Sequence, residues 1–332
     1  MDGSRKAIVA AFLANLGIAI AKLVGFLVTG AASMLAEAIH SLADTANEGL
    51  LFLGDVRSKK KPDLAHPFGY GGERYFWPFI VALVLFTGGG LFALFEGLEK
   101  LVTRHELESL PWAVGILIVA MVLEAASLRT AVHESRPYKG DDSWLGFVLH
   151  SRRAELTVVL LEDTGALIGL VFALAGVVLA GMTGDSRYDA LGSLGIGILL
   201  VVIAGTLAVK MKSLLIGEGA TRAQDDTIRQ AFARAPAVRR LARLRTLQLS
   251  PDELLVAADI ECDPDLSTHD LADAIDDIEV EIRTAIPEAT IVYIEPDEVH
   301  ALPGTPASGR RLRSPAGGAP PGVHAVPVEP GP

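Results

Sequence analysis

Six long apolar runs constrain the fold of this 332-residue chain more than any other feature. They cover residues 7–29, 33–54, 77–101, 110–131, 156–182 and 189–209. A run of roughly 20 apolar residues is longer than an ordinary buried core helix and matches the thickness of a bilayer. Lipid cannot hydrogen-bond to the backbone, so each run is expected to be a helix. The pattern predicts an all-α six-helix transmembrane domain over residues 1–215, in contact with a lipid bilayer.

Basic residues flank these runs unevenly, and the imbalance predicts an orientation. Fourteen lie at the N-terminus and after the second, fourth and sixth runs, whereas three lie on the other side. Because cytoplasmic loops carry the excess of Lys and Arg, both termini are expected in the cytoplasm. The first run follows Arg5 and Lys6, is too long for a signal-peptide core and is interpreted as a retained helix. Half of all residues are hydrophobic, which excludes an ordinary soluble helical protein.

A second, soluble domain is predicted after the sixth run. Residues 221–234 and 267–286 have helical periodicity, and the second of these begins with a Ser-Thr cap signal. The segments "RLRTLQLS" and "LLVAADIEC" alternate as strands around a Pro251-Asp252 turn, and "ATIVYIEP" is a third strand. The order αββαβ predicts a cytoplasmic α+β ferredoxin-like domain over residues 216–300.

Charge and cysteine content exclude several functions. Residues 219–300 hold 8 arginines against 18 acidic residues, which either only keeps the domain soluble or also attracts cations. The net charge of −11 argues against nucleic acid as a partner. Cys262 is the only cysteine, so no intramolecular disulfide or Cys-based zinc finger can form. Residues 301–332 form a Pro/Gly-rich tail that is expected to be disordered.

The second run is unusually polar for a membrane segment, in "AEAIHSLADTANEGLL" (36–51). His40 and Asp44 are four residues apart and share a helix face that Asn47 continues. Imidazole and carboxylate are ligands for zinc and similar ions. A carboxylate in lipid costs at least about 2.5 kcal/mol, so a compensating partner is expected. We interpret this face as half of a cation site; a structural hydrogen bond between helices is the alternative.

Further polar groups lie in the other runs. The fifth offers Glu162 and Asp163 near its cytoplasmic start, and adjacent helix residues point about 100° apart, so both cannot face one site equally. Asn15 and Asp189 are expected to hydrogen-bond between helices, and Glu124, placed near a helix end, to pair or reach toward the surface. The Gly-rich "FTGGGLF" in the third run predicts close helix packing.

Five stretches together resemble the cation diffusion facilitator family of divalent-metal/proton antiporters. They are "LAEAIHSLADTANEGLLFLG", "KKPDLAHPFGYGGERYFWPFIVAL", "VVLLEDTGALIGL", "YDALGSLGIGILL" and "LLIGEGA". The resemblance covers roughly residues 7 to 298 and looks closest to the branch of the ninth mammalian zinc transporter. It implies six helices, a cytoplasmic ferredoxin-like domain and a homodimer, formed through the cytoplasmic and transmembrane domains.

The resemblance also implies a ligand set for the transported metal. Its members at the matching positions are His40, Asp44 and Asp163. The common zinc transporters have a ligand, usually His, four residues before the fifth-helix aspartate, but here that position is Val159. The gap could be filled by Asn47, which the face geometry favours, then by Glu162, or by Glu48 or water. Such a site fits Zn(II), and Mn(II), Fe(II), Co(II) or Cd(II) are also reasonable.

Additional metal sites of the family lie in the loop after the second helix and in the cytoplasmic domain. The candidates here are His66, His269 and His300. His66 follows Asp63 by three residues in "DLAHPFGYG", where a turn that fixes the loop is the alternative. The other two histidines stand alone in the sequence and are expected to be surface residues.

The predicted function is divalent metal cation/proton antiport that exports Zn(II) or a similar transition metal from the cytoplasm by alternating access. Protons are the counter-ion, and the pKa of His suits such an exchange. No prosthetic group and no enzymatic activity are expected. A non-transporting scaffold or metal sensor is the alternative, motivated by Val159, and a metal-dependent intramembrane hydrolase is more distant. The composition suggests the plasma membrane as the location.

Overall fold

A computed structural model of the chain describes residues 32–102 and 110–297, with positions 9, 12, 13, 15–20, 23, 24 and 27 of the first apolar run. The side chains of residues 32–41, 43, 110, 112 and 113 are outside this description. The described positions of the first run are helical, but most of its predicted extent lies outside the described residues. The predicted disordered tail, 301–332, lies wholly outside them.

The apolar runs form long helices that extend past the runs themselves. They are α1 (Ala32–Ser58), α2 (Glu73–Val84), a π-helical segment (Leu85–Leu91), α3 (Phe92–Val102), α4 (Leu110–Lys139), the short α5 (Trp144–His150), α6 (Ala154–Thr183) and α7 (Arg187–Ile216). Arg57, Arg136 and Lys210, which lie outside the apolar runs, are therefore helical. A helix can continue beyond the edge of the bilayer, because its backbone groups stay hydrogen-bonded within the helix.

Four helices in the described part of the chain are long and apolar enough to cross a membrane. They are Glu73–Val102, Val114–Lys139, Ala154–Thr183 and Arg187–Ile216. Between 17% and 33% of their apolar stretches is buried inside the chain, so most of their apolar surface is available to lipid. Helix α1 has 27 residues but is not among the four, and its sequence carries four acidic residues.

Glycines set the close packing of the third apolar run against the sixth. A Cβ at Gly90, inside the π-helical segment, would lie 2.8 Å from Val201 Cγ2, and one at Gly197 would lie 2.7 Å from Leu94 Cγ. Such distances leave room only for a hydrogen atom on each glycine. The packing role predicted for "FTGGGLF" is thus confirmed.

Helices α6 and α7 form an antiparallel hairpin. Gly184 ends α6 with a left-handed φ of 71°, a conformation that favours glycine. Just before the turn, a Cβ at Gly176 would lie 2.9 Å from the Tyr188 carbonyl oxygen, and one at Gly192 would lie 2.9 Å from that of Phe172. The two backbones therefore approach each other closely along this pair.

The C-terminal part is a separate α+β domain with the predicted order αββαβ. Its elements are α8 (Arg222–Arg234), β1 (Val238–Ser250), β2 (Glu253–Cys262), α9 (Thr268–Ala285) and β3 (Ile291–Asp297). Strand β2 is central, antiparallel to β1 and parallel to β3, because β1 returns through a tight turn whereas α9 crosses over to β3. Two helices and a three-stranded sheet are therefore observed.

Local signals explain where the two helices of this domain begin, and apolar burial explains their packing. Thr221 and Gln224 form a reciprocal capping box at the start of α8. The Ser267 side chain accepts a hydrogen bond from the Asp270 backbone at 3.1 Å at the start of α9. The core comprises Ile228, Ala231, Phe232, Leu254, Val256, Ala258, Ile260, Ile278, Ile282, Ile286, Ala289 and Val292.

The α+β domain touches the membrane helices through the turn between β1 and β2. A Cβ at Gly71 would lie 2.6 Å from Ser250 Cβ, so the loop before α2 lies directly against this turn. Nearby, Arg152 Nη2 donates to the Gly219 carbonyl at 2.8 Å and its guanidinium also pairs with Glu218. The loops at this end of the helices and the α+β domain are thus joined by charged contacts and by close van der Waals contact.

Candidate functional site

The polar face of α1 is directed into the protein where its side chains are described. Asn47 and Glu48 are buried, with 1% and 0% of their surfaces exposed, and Asp44 is half-buried. His40 lies in the same helix, one turn before Asp44, but its side chain is outside the described residues. The helix therefore brings Asp44, Asn47 and Glu48 to the interior.

The two adjacent acidic residues of α6 contact different helices. Asn47 Nδ2 of α1 donates to Glu162 Oε1 at 3.3 Å. Ser127 Oγ of α4 donates to Asp163 Oδ2 at 2.8 Å. Both carboxylates are buried. Because neighbouring helix residues diverge by about 100°, α6 can contact α1 with one carboxylate and α4 with the other.

Glu48 is the most deeply buried acidic side chain of this region. Neither of its carboxylate oxygens has a hydrogen-bond partner among the described residues. The charged groups near it include Glu162, Asp163, Asp44 and Glu124, all of them acidic. The region therefore concentrates negative charge inside the helical domain, which is costly unless a cation or protons compensate it.

The predicted ligand set remains a prediction. Among the described side chains, no group of three or more His, Cys, Asp and Glu residues is arranged to hold a metal ion. The side chain of His40 lies outside that search. Val159, at the position where the common zinc transporters have a ligand, is fully buried in an apolar cluster with Leu51, Leu156 and Phe147.

Sequence reasoning missed Ser127, because a single serine in an apolar helix carries no motif. Glu124, three residues earlier, was predicted near a helix end, but α4 extends to Lys139 and places it in the middle of the helix. Asp189 was expected to form a hydrogen bond between helices. This prediction is confirmed, because Lys100 Nζ of α3 lies 3.1 Å from Asp189 Oδ2 and forms a charge-assisted hydrogen bond between two helices. Asn15 is buried, with 7% exposed.

The loop between α1 and α2 is held by Asp63. This carboxylate accepts from Tyr70 Oη at 2.7 Å, from Lys60 Nζ at 3.0 Å, and from the backbone amides of Ala65 and His66 at 3.0 and 2.9 Å. The hydrogen bonds from Tyr70 and Lys60 lower the pKa of Asp63 below its usual value. With four donors already on Asp63, this arrangement favours the turn that fixes the loop over a metal site with His66.

The candidate histidines of the α+β domain gain no ligand partners from the structure. His269 Nδ1 lies 3.7 Å from Asp273 Oδ1 in the next turn of α9, and its side chain is 85% exposed. His300 lies outside the described residues. A regulatory metal site in this domain therefore rests on nothing beyond the two separate histidines.

Comparison with known proteins identifies the class of this helical membrane protein. The model of the "Cation efflux transmembrane domain" matches residues 8–216, and that of the "Cation efflux protein, cytoplasmic domain" matches residues 221–297. The chain belongs to the cation efflux family, a family of transporters and not of enzymes. The second model carries the short name ZT_dimer, and this name supports dimerisation.

Individual relatives include named zinc and cation transporters. The chain is 35% identical over 245 residues to the "Proton-coupled zinc antiporter SLC30A9, mitochondrial" of Mus musculus, covering 73% of this chain and 43% of that protein. It is 34% identical over 265 residues to the Xenopus laevis protein of the same name, covering 79% and 47%. It is 26% identical over 281 residues to the "Cation-efflux pump FieF" of Pectobacterium atrosepticum, covering 83% and 86%. The chain thus spans less than half the length of the first two relatives.

These relatives correct the predicted location. The zinc antiporters of Mus musculus, Xenopus laevis and Homo sapiens are named as mitochondrial, which contradicts the prediction of the plasma membrane. The prediction was wrong because it rested on amino-acid composition, and an apolar helix meets the same hydrocarbon in any bilayer. The prediction of a multi-pass membrane protein is still supported.

Proposed function

We propose that this chain is a divalent metal cation/proton antiporter that exports Zn(II) or a similar transition metal from the cytoplasm by alternating access. The observation that carries the proposal is the buried acidic region where α1 meets α6, bridged by the Asn47–Glu162 hydrogen bond. Relatives named as proton-coupled zinc antiporters support zinc and protons as the exchanged ions. No prosthetic group is required, since the metal is cargo.

The cargo position is proposed to use His40, Asp44 and Asp163. His40 and Asp44 lie one turn apart on α1, and Asp163 is held by Ser127 on α4. Because Val159 cannot ligate, the fourth ligand comes from elsewhere, with Asn47 first and Glu162 next. Mixed nitrogen and oxygen ligands suit Zn(II), and they also admit Mn(II), Fe(II), Co(II) and Cd(II).

Proton exchange follows from the ligand types. A ligand must lose its proton to bind a metal ion, so cargo binding from the cytoplasm releases protons. Once the helices have moved and the site faces outward, protons that enter from that side reload His40 and the carboxylates and displace the metal. The return step carries these protons inward. Transport of the metal ion in one direction is thereby coupled to transport of protons in the other.

The architecture proposed around this site completes the transporter. The first apolar run and α1 are two further spans, which makes six, and an even number places both termini on the same side of the membrane. The domain bounds proposed are 1–215 for the transmembrane part and 216–300 for a ferredoxin-like cytoplasmic part, with a disordered 301–332 tail. Two copies associate through both domains. The acidic cytoplasmic domain attracts cations toward the entrance.

Metal-dependent proton flux in liposomes tests the proposal. Purified full chain is reconstituted with a pH-sensitive dye inside, and Zn(II), Mn(II), Fe(II), Co(II) and Cd(II) are added in turn. Flux is expected with at least one metal and is expected to be lost in Asp44→Ala and in Asp163→Ala. His269→Ala, which changes an exposed side chain, is the matched control.

The outcome also decides against the alternative. A folded, dimeric chain without flux for any metal would contradict antiport and leave a scaffold or sensor. Flux that persists in both Asp variants would retain transport but reject the proposed ligands. Family membership does not favour the scaffold, and the buried carboxylates around Asn47 supply donors despite Val159.

A further inference from the structure

A cavity of about 540 Å³ lies at the surface between the short helix α5 and the end of α7. Its lining includes Leu149, Gly205, Val209, Lys210, Ser213 and Glu218. Leu149 and Val209 are 43% and 71% exposed, so the cavity opens toward the surroundings of the helices. None of these six residues belongs to the proposed metal site.

The cavity crosses the edge of the apolar part of α7. Gly205 and Val209 lie inside the sixth apolar run, which ends at residue 209, whereas Lys210 and Ser213 follow it. On the opposite wall, α5 begins with Trp144, which is 39% exposed. An exposed tryptophan beside a membrane helix is typical of the interface between bilayer and water. One end of the cavity therefore lies at the depth of the hydrocarbon, and the other lies at the depth of the headgroups.

The polar end of the cavity carries an excess of positive charge. Lys210 is buried, with 8% exposed, and its Nζ lies 3.3 Å from both carboxylate oxygens of Glu218. The guanidinium of Arg152 pairs with the same carboxylate, so two cations share one acidic group. An ammonium group has three N–H donors, and Glu218 takes at most two of those of Lys210. Lys212, two residues further along α7, is exposed at the same edge.

An anionic phospholipid matches both ends of the cavity. Its phosphate oxygens can accept from the remaining N–H of Lys210 and from the exposed hydroxyl of Ser213. Its acyl chain can lie along Val209 and Leu149 and over Gly205, where a Cβ would meet no atom within 4 Å. Basic pockets of membrane helices near the bilayer surface are suited to anionic headgroups.

We propose that this cavity binds one anionic phospholipid from the leaflet on the side of the α+β domain. The excess positive charge selects an anionic headgroup over a zwitterionic one. The backbone carbonyl of Glu218 also accepts from the Gln248 amide of β1 at 2.8 Å. The bound lipid therefore lies against the segment that connects α7 to the α+β domain.

Native mass spectrometry of the full chain in detergent tests the lipid site directly, so the result does not depend on the proposed transport function. Dioleoylphosphatidylglycerol is compared with dioleoylphosphatidylcholine, which has the same chains and no net charge. Phosphatidylglycerol is expected to bind about fivefold more tightly or better, the effect of one basic residue near a membrane surface. Glycerol 3-phosphate, which has no acyl chains, is not expected to displace it.

Two variants should affect the two lipids differently. Lys210→Gln removes the charge and keeps a long side chain, so it should weaken phosphatidylglycerol binding about fivefold and leave phosphatidylcholine binding unchanged. Gly205→Leu fills the cavity without changing any charge and should weaken binding of both lipids. It is also the second route if Lys210→Gln, which leaves Glu218 with Arg152 alone, does not fold.

Each variant has a matched control. Arg187→Gln removes an exposed positive charge at the other end of α7. Gly115→Leu adds the same side chain to the exposed surface of α4, where a Cβ also meets no atom within 4 Å. Neither control should change the affinity for either lipid.

Equal affinity of the unmutated chain for the two lipids would overturn the proposal. So would phosphatidylglycerol binding that is unchanged in both Lys210→Gln and Gly205→Leu. Displacement by glycerol 3-phosphate would replace the lipid site with a site for small anions. The same spectra report the dimer, and its loss in Gly205→Leu with lipid binding intact would show that a second copy of the chain covers the cavity instead.

Discussion

Arg74 Nη1 donates to Asp252 Oδ2 at 2.7 Å, and this bond joins the start of α2 to the turn between β1 and β2. The other oxygen of Asp252 accepts from Arg153 Nη2 at 2.6 Å, at the start of α6. One carboxylate of the α+β domain therefore bridges two apolar spans. Arg74 is anchored in turn by the buried carboxylate of Glu155.

Asp252→Asn should loosen the α+β domain from the membrane helices. The change removes the charge that holds both Arg74 and Arg153, and because Asp252 is about half exposed the expected loss is only about 1 kcal/mol. Hydrogen exchange of the β1–β2 turn in detergent should become faster. The control is Glu281→Gln, which removes an exposed ion pair with Arg234 inside the domain. Equal exchange in both variants would contradict docking through Asp252.

Acid should weaken the same contact. Burial by itself raises the pKa of Asp252, but the charges of Arg153 and Arg74 outweigh it and lower the pKa below its usual value. A carboxylate with a lowered pKa contributes stability above its unfolded pKa and loses it as the pH falls through the folded value. The protection factor of the turn amides, which corrects for the pH dependence of intrinsic exchange, should thus be unchanged between about pH 7 and pH 5 and fall below about pH 4. A fall in protection centred near neutral pH would assign the effect to another group.

Glu155→Gln should destabilise the helical domain strongly. The side chains of Arg74 and Glu155 are 8% and 3% exposed, so loss of one charge leaves the other buried. Breaking such a pair costs about 3 kcal/mol, measurable as a lower thermal midpoint. The double variant Glu155→Gln, Arg74→Met removes both charges and should be closer to the unmutated chain. A double variant less stable than Glu155→Gln alone would show that the pair does not act as a unit.

Ser127→Ala should weaken transport without unfolding the protein. Ser127 positions Asp163 through a 2.8 Å hydrogen bond, and loss of such a supporting contact typically costs about tenfold or more in metal affinity. The readout is the metal concentration for half-maximal flux, with Ser127→Thr expected to restore it. Ser135→Ala is the matched control on α4, because the Ser135 hydroxyl is fully buried and has no partner among the described residues. Equal effects of the two alanine variants would exclude a positioning role.

Gly197→Ala should separate the third and sixth apolar runs. Its new methyl group would lie 2.7 Å from Leu94 Cγ and 2.8 Å from the Leu94 amide nitrogen, and the latter is backbone that cannot rotate away. Overpacking of this kind costs about 1–3 kcal/mol of unfolding free energy. Gly205→Ala on the same helix meets no atom within 4 Å and should be neutral or stabilising. The two thermal midpoints give the comparison directly.

The hydrophobic pattern predicted most of the fold because backbone groups in lipid must hydrogen-bond within their own segment, and a helix allows this. Five of the six runs coincide with described helices, and the αββαβ order is observed with helix starts at Thr221 and Ser267. Helix ends were missed, since Arg136 and Lys139 continue α4 beyond its apolar part. The short helix Trp144–His150 was also missed, because seven residues carry too little periodicity.

The candidate site was predictable only in part. Residues on one helix face follow from spacing, so Asp44 and Asn47 were placed together. Contacts between helices depend on how the helices pack, and no spacing in α4 indicates that Ser127 reaches Asp163. Likewise, sequence suggested Glu48 as one of several donors. Its complete burial, with carboxylate oxygens that have no hydrogen-bond partner among the described residues, depends on packing around α1.

The bridge at Arg74 also has an order of assembly. A ribosome makes Arg74 first, then Glu155 81 residues later, and Asp252 178 residues after Arg74. When Arg74 reaches the membrane surface, neither of its partners exists. The buried pair with Glu155 can close once α6 begins to emerge, whereas the bond to Asp252 must wait until α7 and strand β1 have been synthesised. The Arg74–Asp252 bond can therefore form only after every helix that precedes Asp252 in the chain has been synthesised.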